Sequence, residues 1–173
     1  MKKNLILTGM MGVGKSTIGK KLANKLLLSF VDVDKVIEKY EGSTIDIIFK
    51  NKGENYFRTI ENKITLKELK KSKSVISLGG GAFQNSDIRK YVKKTCVSFW
   101  LDVDLDILVK RLERSKKRPL LLKKDLFETI NKIYLERKKT YSEADYKIKC
   151  KNLKPEIIIN KILKLYENSR NKV

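Results

Sequence analysis

The sequence predicts an α/β fold in which a parallel sheet is wrapped by helices. Short apolar, β-rich runs alternate with longer segments of helical period, the pattern left by strand–helix–strand units. A glycine-rich turn sits directly between the first such run and the first helical segment. With 173 residues the chain is about one domain long, enough to close a hydrophobic core without disulfides or a structural metal.

In chain order, the expected strands are Asn4–Thr8, Phe30–Val33, Ser74–Leu78, Thr95–Leu101 and a short fifth at Tyr146–Lys149. The first helix is expected over Lys15–Leu28, where Ile18, Leu22 and Leu26 recur at i, i+4 and i+8 on one face. Thr44–Lys50 and Glu54–Lys70 read as two helices parted near Gly53. Leu105–Arg114, Leu126–Ala144 and Pro155–Asn168 supply the rest, and Pro155 suits a helix's first turn, where a missing N–H costs little. Ser115–Lys124 fits neither period. It gathers Lys116, Lys117, Arg118, Lys123 and Lys124 around Pro119, the composition of a basic loop and a candidate lid.

Composition excludes several classes of function. Histidine is absent, and the two cysteines, Cys96 and Cys150, lie far apart in no metal-ligand spacing, which argues against a disulfide framework, a zinc site and histidine-based acid–base catalysis. No apolar run approaches the ~18 residues of a membrane span, and no signal or transit peptide is evident. The expectation is a soluble, cytoplasmic monomer without membrane contact. A net charge of +20, from 40 Lys and Arg against 20 Asp and Glu, raises nucleic-acid binding as a second class. Yet the lysines are scattered along almost every helix, as at Lys67, Lys70, Lys71 and Lys73, and no nucleic-acid motif accompanies them. They read as solvated faces, so no specific nucleic-acid partner is expected.

The chemistry-bearing residues begin after the first strand. Gly9-Met10-Met11-Gly12-Val13-Gly14-Lys15-Ser16-Thr17 matches G-x-x-x-x-G-K-[ST] in its required strand–loop–helix setting. Such a loop converges backbone N–H groups and a helix N-terminus on phosphate oxygens. Lys15 would reach the β- and γ-phosphates of ATP and the Ser16 hydroxyl would ligate Mg²⁺. Asp32 and Asp34 end the second strand, where a spacing of two places both side chains on one face toward the crevice at the strands' carboxyl ends. One can hold magnesium and the other can accept or orient a substrate hydroxyl. Gly79-Gly80-Gly81 ends the third strand, so a ligand could lie against bare backbone there. Arg58, Arg111, Arg118 and Arg137 stand out in a chain whose default cation is lysine, because a guanidinium offers a planar fork for carboxylate or phosphate.

Taken together, these residues resemble the shikimate kinase family over nearly the whole chain. Phe30-Val31-Asp32-Val33-Asp34, then Ile37-Glu38, Gly42, Ile45, Ile48-Phe49, Gly53-Glu54, Phe57-Arg58 and Glu61, look like that family's substrate-binding segment. The phosphate loop, the triple glycine, Arg118-Pro119-Leu120-Leu121 and Glu136-Arg137 near Tyr141 complete the pattern. The resemblance implies a single three-layer P-loop kinase domain over residues 1–173 with a five-stranded parallel sheet of order 2-3-1-4-5. It also implies a substrate-binding segment at about 33–61 and a lid at about 115–124. It further implies ATP-dependent phosphorylation of shikimate. Asp34 would bind the reacting hydroxyl, and Arg58, Arg137 and the Gly79–Gly81 backbone would hold the substrate, with Glu61 buttressing Arg58 one helical turn away. Lys15 and Arg118 would clamp the transferred phosphoryl, Ser16 and Asp32 would manage Mg²⁺, and Arg111 and Pro155 would lie beside the adenine. The rival within this build is another small-molecule kinase, for gluconate or a nucleotide.

Overall fold

The computed structural model describes residues 4–113, 126–151 and 153–170. Five parallel strands, β1 (Asn4–Thr8), β2 (Ser29–Asp32), β3 (Ser74–Ser77), β4 (Cys96–Asp102) and β5 (Tyr146–Lys149), form one sheet in the order β2-β3-β1-β4-β5. Burial follows that order. Every residue of β1 and β3 is buried and β4 is buried through Leu101, whereas the edge strands β2 and β5 are mostly half-exposed or exposed. A central parallel strand is covered on both faces, which explains the continuous apolar runs Leu5-Ile6-Leu7 and Phe99-Trp100-Leu101.

Helices α1 (Lys15–Leu26), α2 (Val33–Glu41), α3 (Ile45–Leu69), α4 (Ser86–Thr95), α5 (Leu105–Glu113), α6 (Leu126–Tyr141) and α7 (Pro155–Arg170) flank the sheet. The first packs across β2 and β3 and meets α7, while α4 packs on β4 and meets α3. Among the described residues no helix is long and apolar enough to cross a membrane.

Several boundaries differ from the sequence expectation. The second strand stops at Asp32, and Val33 already opens α2, because Val33 and Ile37, four residues apart, are fully buried on one helical face. Asp34 therefore belongs to the first turn of a helix and does not share a strand face with Asp32. Helices α2 and α4 are both absent from the sequence expectation, although α4 carries its signals: Asn85 accepts from the N–H groups of Asp87 and Ile88, and Ile88 and Val92 are buried. Helix α1 ends two residues early, with Leu27 in the left-handed conformation and almost wholly exposed. Helix α6 stops at Tyr141, short of Ala144. The expected break near Gly53 is present as a kink inside α3, where Gly53 takes φ 78° and ψ 173°, backbone that a residue with a Cβ rarely adopts.

One buried side chain ties the end of the sheet away from the strands' carboxyl termini. Asn4, 1 % exposed, donates through Nδ2 to the carbonyls of Leu69 (3.0 Å) and Lys71 (2.7 Å) and accepts from the N–H of Ser74 (3.1 Å). It joins the start of β1 to the end of α3 and the start of β3. Asn4→Ala leaves those three backbone groups without a side-chain partner, so it should destabilise the fold by about 3 kcal/mol. For a chain of this size that is a fall in Tm of roughly 6–12 °C in a thermal melt. A fall under about 2 °C would mean that water replaces the asparagine and that the clamp contributes little.

Candidate active site

The site lies off the carboxyl ends of β1, β2 and β3, where open parallel sheets leave a crevice. The loop after β1 leads straight into α1, and a cavity of about 230 Å³ opens over it, lined by Gly12, Gly14, Lys15, Ser16, Thr17, Asp32, Asp34 and Gly80 among others. Lys15 is buried and donates through Nζ to the carbonyls of Gly9 (2.8 Å) and Met10 (2.9 Å), which holds its ammonium inside the loop. Ser16 Oγ donates to Asp32 Oδ2 over 2.5 Å. A hydroxyl and a carboxylate paired beside a phosphate loop fit Mg²⁺, a hard cation that takes one or two carboxylates together with phosphate and water oxygens. Among the described residues no cluster of three or more His, Cys, Asp or Glu could cage a metal without them.

A second cavity, of about 400 Å³, is lined by Arg58, Glu61, Asn62, Gly81, Gln84 and Arg137 together with neighbouring residues. Arg58 Nη1 donates to Glu61 Oε2 at 2.7 Å, one turn along α3, and Nε and Nη2 reach Glu54 Oε1 at 3.2 and 3.1 Å. Its guanidinium also lies over the Phe57 ring, 5.3 Å from the centroid. Burial works against the Arg58 charge, but Glu61 and Glu54 together, through charge and hydrogen bonds, outweigh it and raise the pKa. Glu61 is the strained partner. Burial pushes its carboxyl above the usual range, Asp34 adds to the rise, and Arg58 and Arg137 offset only part of it.

The triple glycine lies between the two cavities. A Cβ on Gly79 would stand 2.5 Å from Glu61 Oε1 and 2.7 Å from Asp34 Oδ1, one on Gly81 would collide with the Arg58 guanidinium, and one on Gly80 would stand 3.3 Å from the Met11 nitrogen and 3.4 Å from Arg137 Nη1. The bare backbone thus makes room for side chains arriving from α2, α3 and α6 as much as for a ligand.

Most sequence-predicted residues converge here, Asp34 through a helix and not through strand alternation. Arg111, on α5, reaches the phosphate loop at the Val13 carbonyl (3.4 Å), and Val13 itself is a core residue. Pro155 opens α7 as expected but lines neither of the two cavities described above. Arg118 and the 115–124 segment lie outside the described residues. Residues not singled out beforehand are Ser77 at the end of β3, on the smaller cavity, and Asn62, Gln84 and Asn85 on the larger. Ser77 could have been found from its place just before the glycines; the other three depend on α3 and the 3₁₀ turn Ala82–Gln84 meeting in space.

The family model described as "Shikimate kinase" matches residues 11–167. A shikimate kinase of Bartonella quintana (strain Toulouse) is 41% identical over 167 residues, 96% of this chain and 80% of that protein. One of Persephonella marina (strain DSM 14350 / EX-H1) is 40% identical over 161 residues, 93% of this chain and 97% of the other. Among solved structures, the shikimate kinase from Acinetobacter baumannii in complex with shikimate superposes with a TM-score of 0.92 at 30% identity, covering 98% of this chain and 95% of that one.

The raised pKa of Glu61 has a sign that can be measured. A carboxyl whose folded pKa exceeds its unfolded value, ~4.3 for Glu, adds stability below that unfolded value and loses it as pH rises through the folded pKa. The stability of the unchanged protein relative to Glu61→Gln should therefore decline as pH rises through a window above ~4.3. Urea melts across pH 4–8 check this, and a difference that grows with pH would assign Glu61 a depressed pKa instead.

Proposed function

The chain belongs to the shikimate kinase family, and on that premise we propose how its residues move the γ-phosphoryl group of ATP to the 3-hydroxyl of shikimate, giving shikimate 3-phosphate and ADP. The supporting observation is the pairing across Gly79: the Asp34 carboxylate and the Arg58-bound Glu61 carboxylate flank one stretch of bare backbone beside the phosphate loop. That arrangement sets a hydroxyl-orienting group and a carboxylate-gripping group on one small ligand.

In this reading Arg58 and Arg137 take the shikimate carboxylate, and the Gly79–Gly81 backbone supports the ring. The grip works because Glu61 fixes the Arg58 fork by one nitrogen and Glu54 holds the others, so the guanidinium is oriented before substrate arrives. Asp34 accepts the hydroxyl proton as the oxygen attacks the γ-phosphorus. The bond from that phosphorus to the bridging oxygen breaks, and ADP leaves with the electron pair. Before that step, as ATP binds, Lys15 exchanges the Gly9 and Met10 carbonyls for phosphate oxygens, and it stabilises their charge during the transfer. Ser16 and Asp32 would hold Mg²⁺, which when bound neutralises the β- and γ-phosphates. Gly12, Val13, Gly14 and Thr17 complete the phosphate cradle, and Arg111 braces it from α5. Residues 33–61, comprising α2 and α3 as far as Glu61, act as the substrate-binding segment of one kinase domain. The working unit is read as a monomer, and two buried cysteines in no disulfide suit a reducing cytoplasm.

A coupled ADP-release assay with shikimate, gluconate and nucleoside monophosphates side by side tests this. Rapid turnover is expected only with ATP, Mg²⁺ and shikimate together, and faster turnover of either rival would overturn the assignment. Asp34→Asn, which keeps the shape but removes the proton acceptor, should lower kcat by roughly 10²-fold while ATP still binds. Arg58→Ala or Arg137→Ala should instead weaken shikimate binding, by about 2–5 kcal/mol if the pair is desolvated. Full activity of Asp34→Asn would exclude its role. RNA titrated at physiological salt should bind weakly and lose affinity steeply as salt is added.

A further inference from the structure

Tyr141 closes α6 with its ring sealed in the core beside Trp100, ring centroids 5.9 Å apart. Its hydroxyl donates to the Gly80 carbonyl over 2.5 Å and lies 3.9 Å from Met10 Sδ of the phosphate loop. Four residues earlier on the same helix, Arg137 reaches the same place, with Nη1 3.4 Å from where a Cβ on Gly80 would stand. Burial raises the Tyr141 pKa, while the Arg137 charge and hydrogen bond pull against that rise without cancelling it, so the phenol keeps its proton at neutral pH. The hydroxyl therefore remains a donor to Gly80, with the Arg137 guanidinium beside the same glycine.

The direction of the Gly80 carbonyl controls its neighbour. A peptide unit is planar and trans, so the C=O of Gly80 and the N–H of Gly81 leave it on opposite sides. Gly81 lines the larger cavity with Arg58 and Arg137. Holding the carbonyl on Tyr141 turns the Gly81 N–H away from the tyrosine. We infer that Tyr141 is a positioning residue for the substrate carboxylate, its hydroxyl fixing the Gly80–Gly81 peptide beside which the Arg137 guanidinium lies. The inference rests on the reading of Arg58 and Arg137 as the carboxylate grip.

A buried tyrosine needs a partner for its hydroxyl in any case, and α6 supplies a half-buried tyrosine as a control. Tyr134, two turns earlier, donates to Asp102 Oδ1 over 3.2 Å, and neither residue lines the two cavities of the site. Tyr141→Phe and Tyr134→Phe each remove one oxygen and keep the ring. Thermal melts establish that both variants are folded at the assay temperature. Tyr141→Phe should raise KM for shikimate about tenfold, the equivalent of ~1.4 kcal/mol, while kcat stays within about threefold and KM for ATP within about twofold. Tyr134→Phe should leave all three within about twofold. On an Arg137→Lys background the Tyr141→Phe effect should shrink, because the glycine that the hydroxyl holds lies against that guanidinium. An unshifted shikimate KM in Tyr141→Phe, equal shifts in both phenylalanine variants, or full additivity with Arg137→Lys would overturn the inference and leave the kinase reading standing. No turnover of shikimate by the unchanged protein would remove that reading and this inference with it.

Discussion

Asp34 and Glu61 come within 3 Å of the point where Gly79 would carry a Cβ, and Arg58 occupies the place of one on Gly81. The rest of the site depends on this exclusion of side chains from the end of β3. Three helices can lean their functional groups over the sheet only because the strand beneath them ends in bare backbone. The same crowding explains the electrostatics. Two carboxylates this close cannot both ionise freely, so one needs a permanent counter-charge, and Arg58 provides it at 2.7 Å from Glu61.

Buried charge is handled in the same way elsewhere in the molecule. Glu68 is buried and accepts both Lys71 bonds at 2.7 Å, and Lys15 is satisfied by two carbonyls of its own loop. The large cationic excess therefore sits at the surface, where each lysine is solvated and costs little. Burial of a charge without such partners would be prohibitive, which is why the few buried ones mark either a clamp or the site.

The two arms that carry the substrate groups are themselves held at a fixed angle. Glu41, at the end of α2, has a side chain only 4 % exposed and accepts from Lys52 Nζ (2.7 Å) and Tyr56 OH (3.0 Å), which lie on opposite sides of the Gly53 kink. An acid at a helix C-terminus opposes the helix dipole, and here that penalty is offset by two hydrogen bonds. The clasp couples the helix bearing Asp34 to the half of α3 bearing Arg58 and Glu61.

The sequence by itself determined whatever depends on local pattern. The phosphate loop, the five strands in their chain order, the break at Gly53 and the Arg58–Glu61 pair each need only neighbours within a turn or a loop, and those relations survive reading in one dimension. The resemblance to a family carried the sheet order and the identity of the substrate. Tertiary structure alone decided that Asp34 stands on a helix facing Glu61, that the glycines are spaces for other residues' side chains, and that Tyr141 reaches Gly80 across 61 positions of chain. Each of these is a contact between elements distant in sequence, fixed by helix packing angles and by the mutual exclusion of atoms, and neither quantity is written in the spacing of residues along a chain.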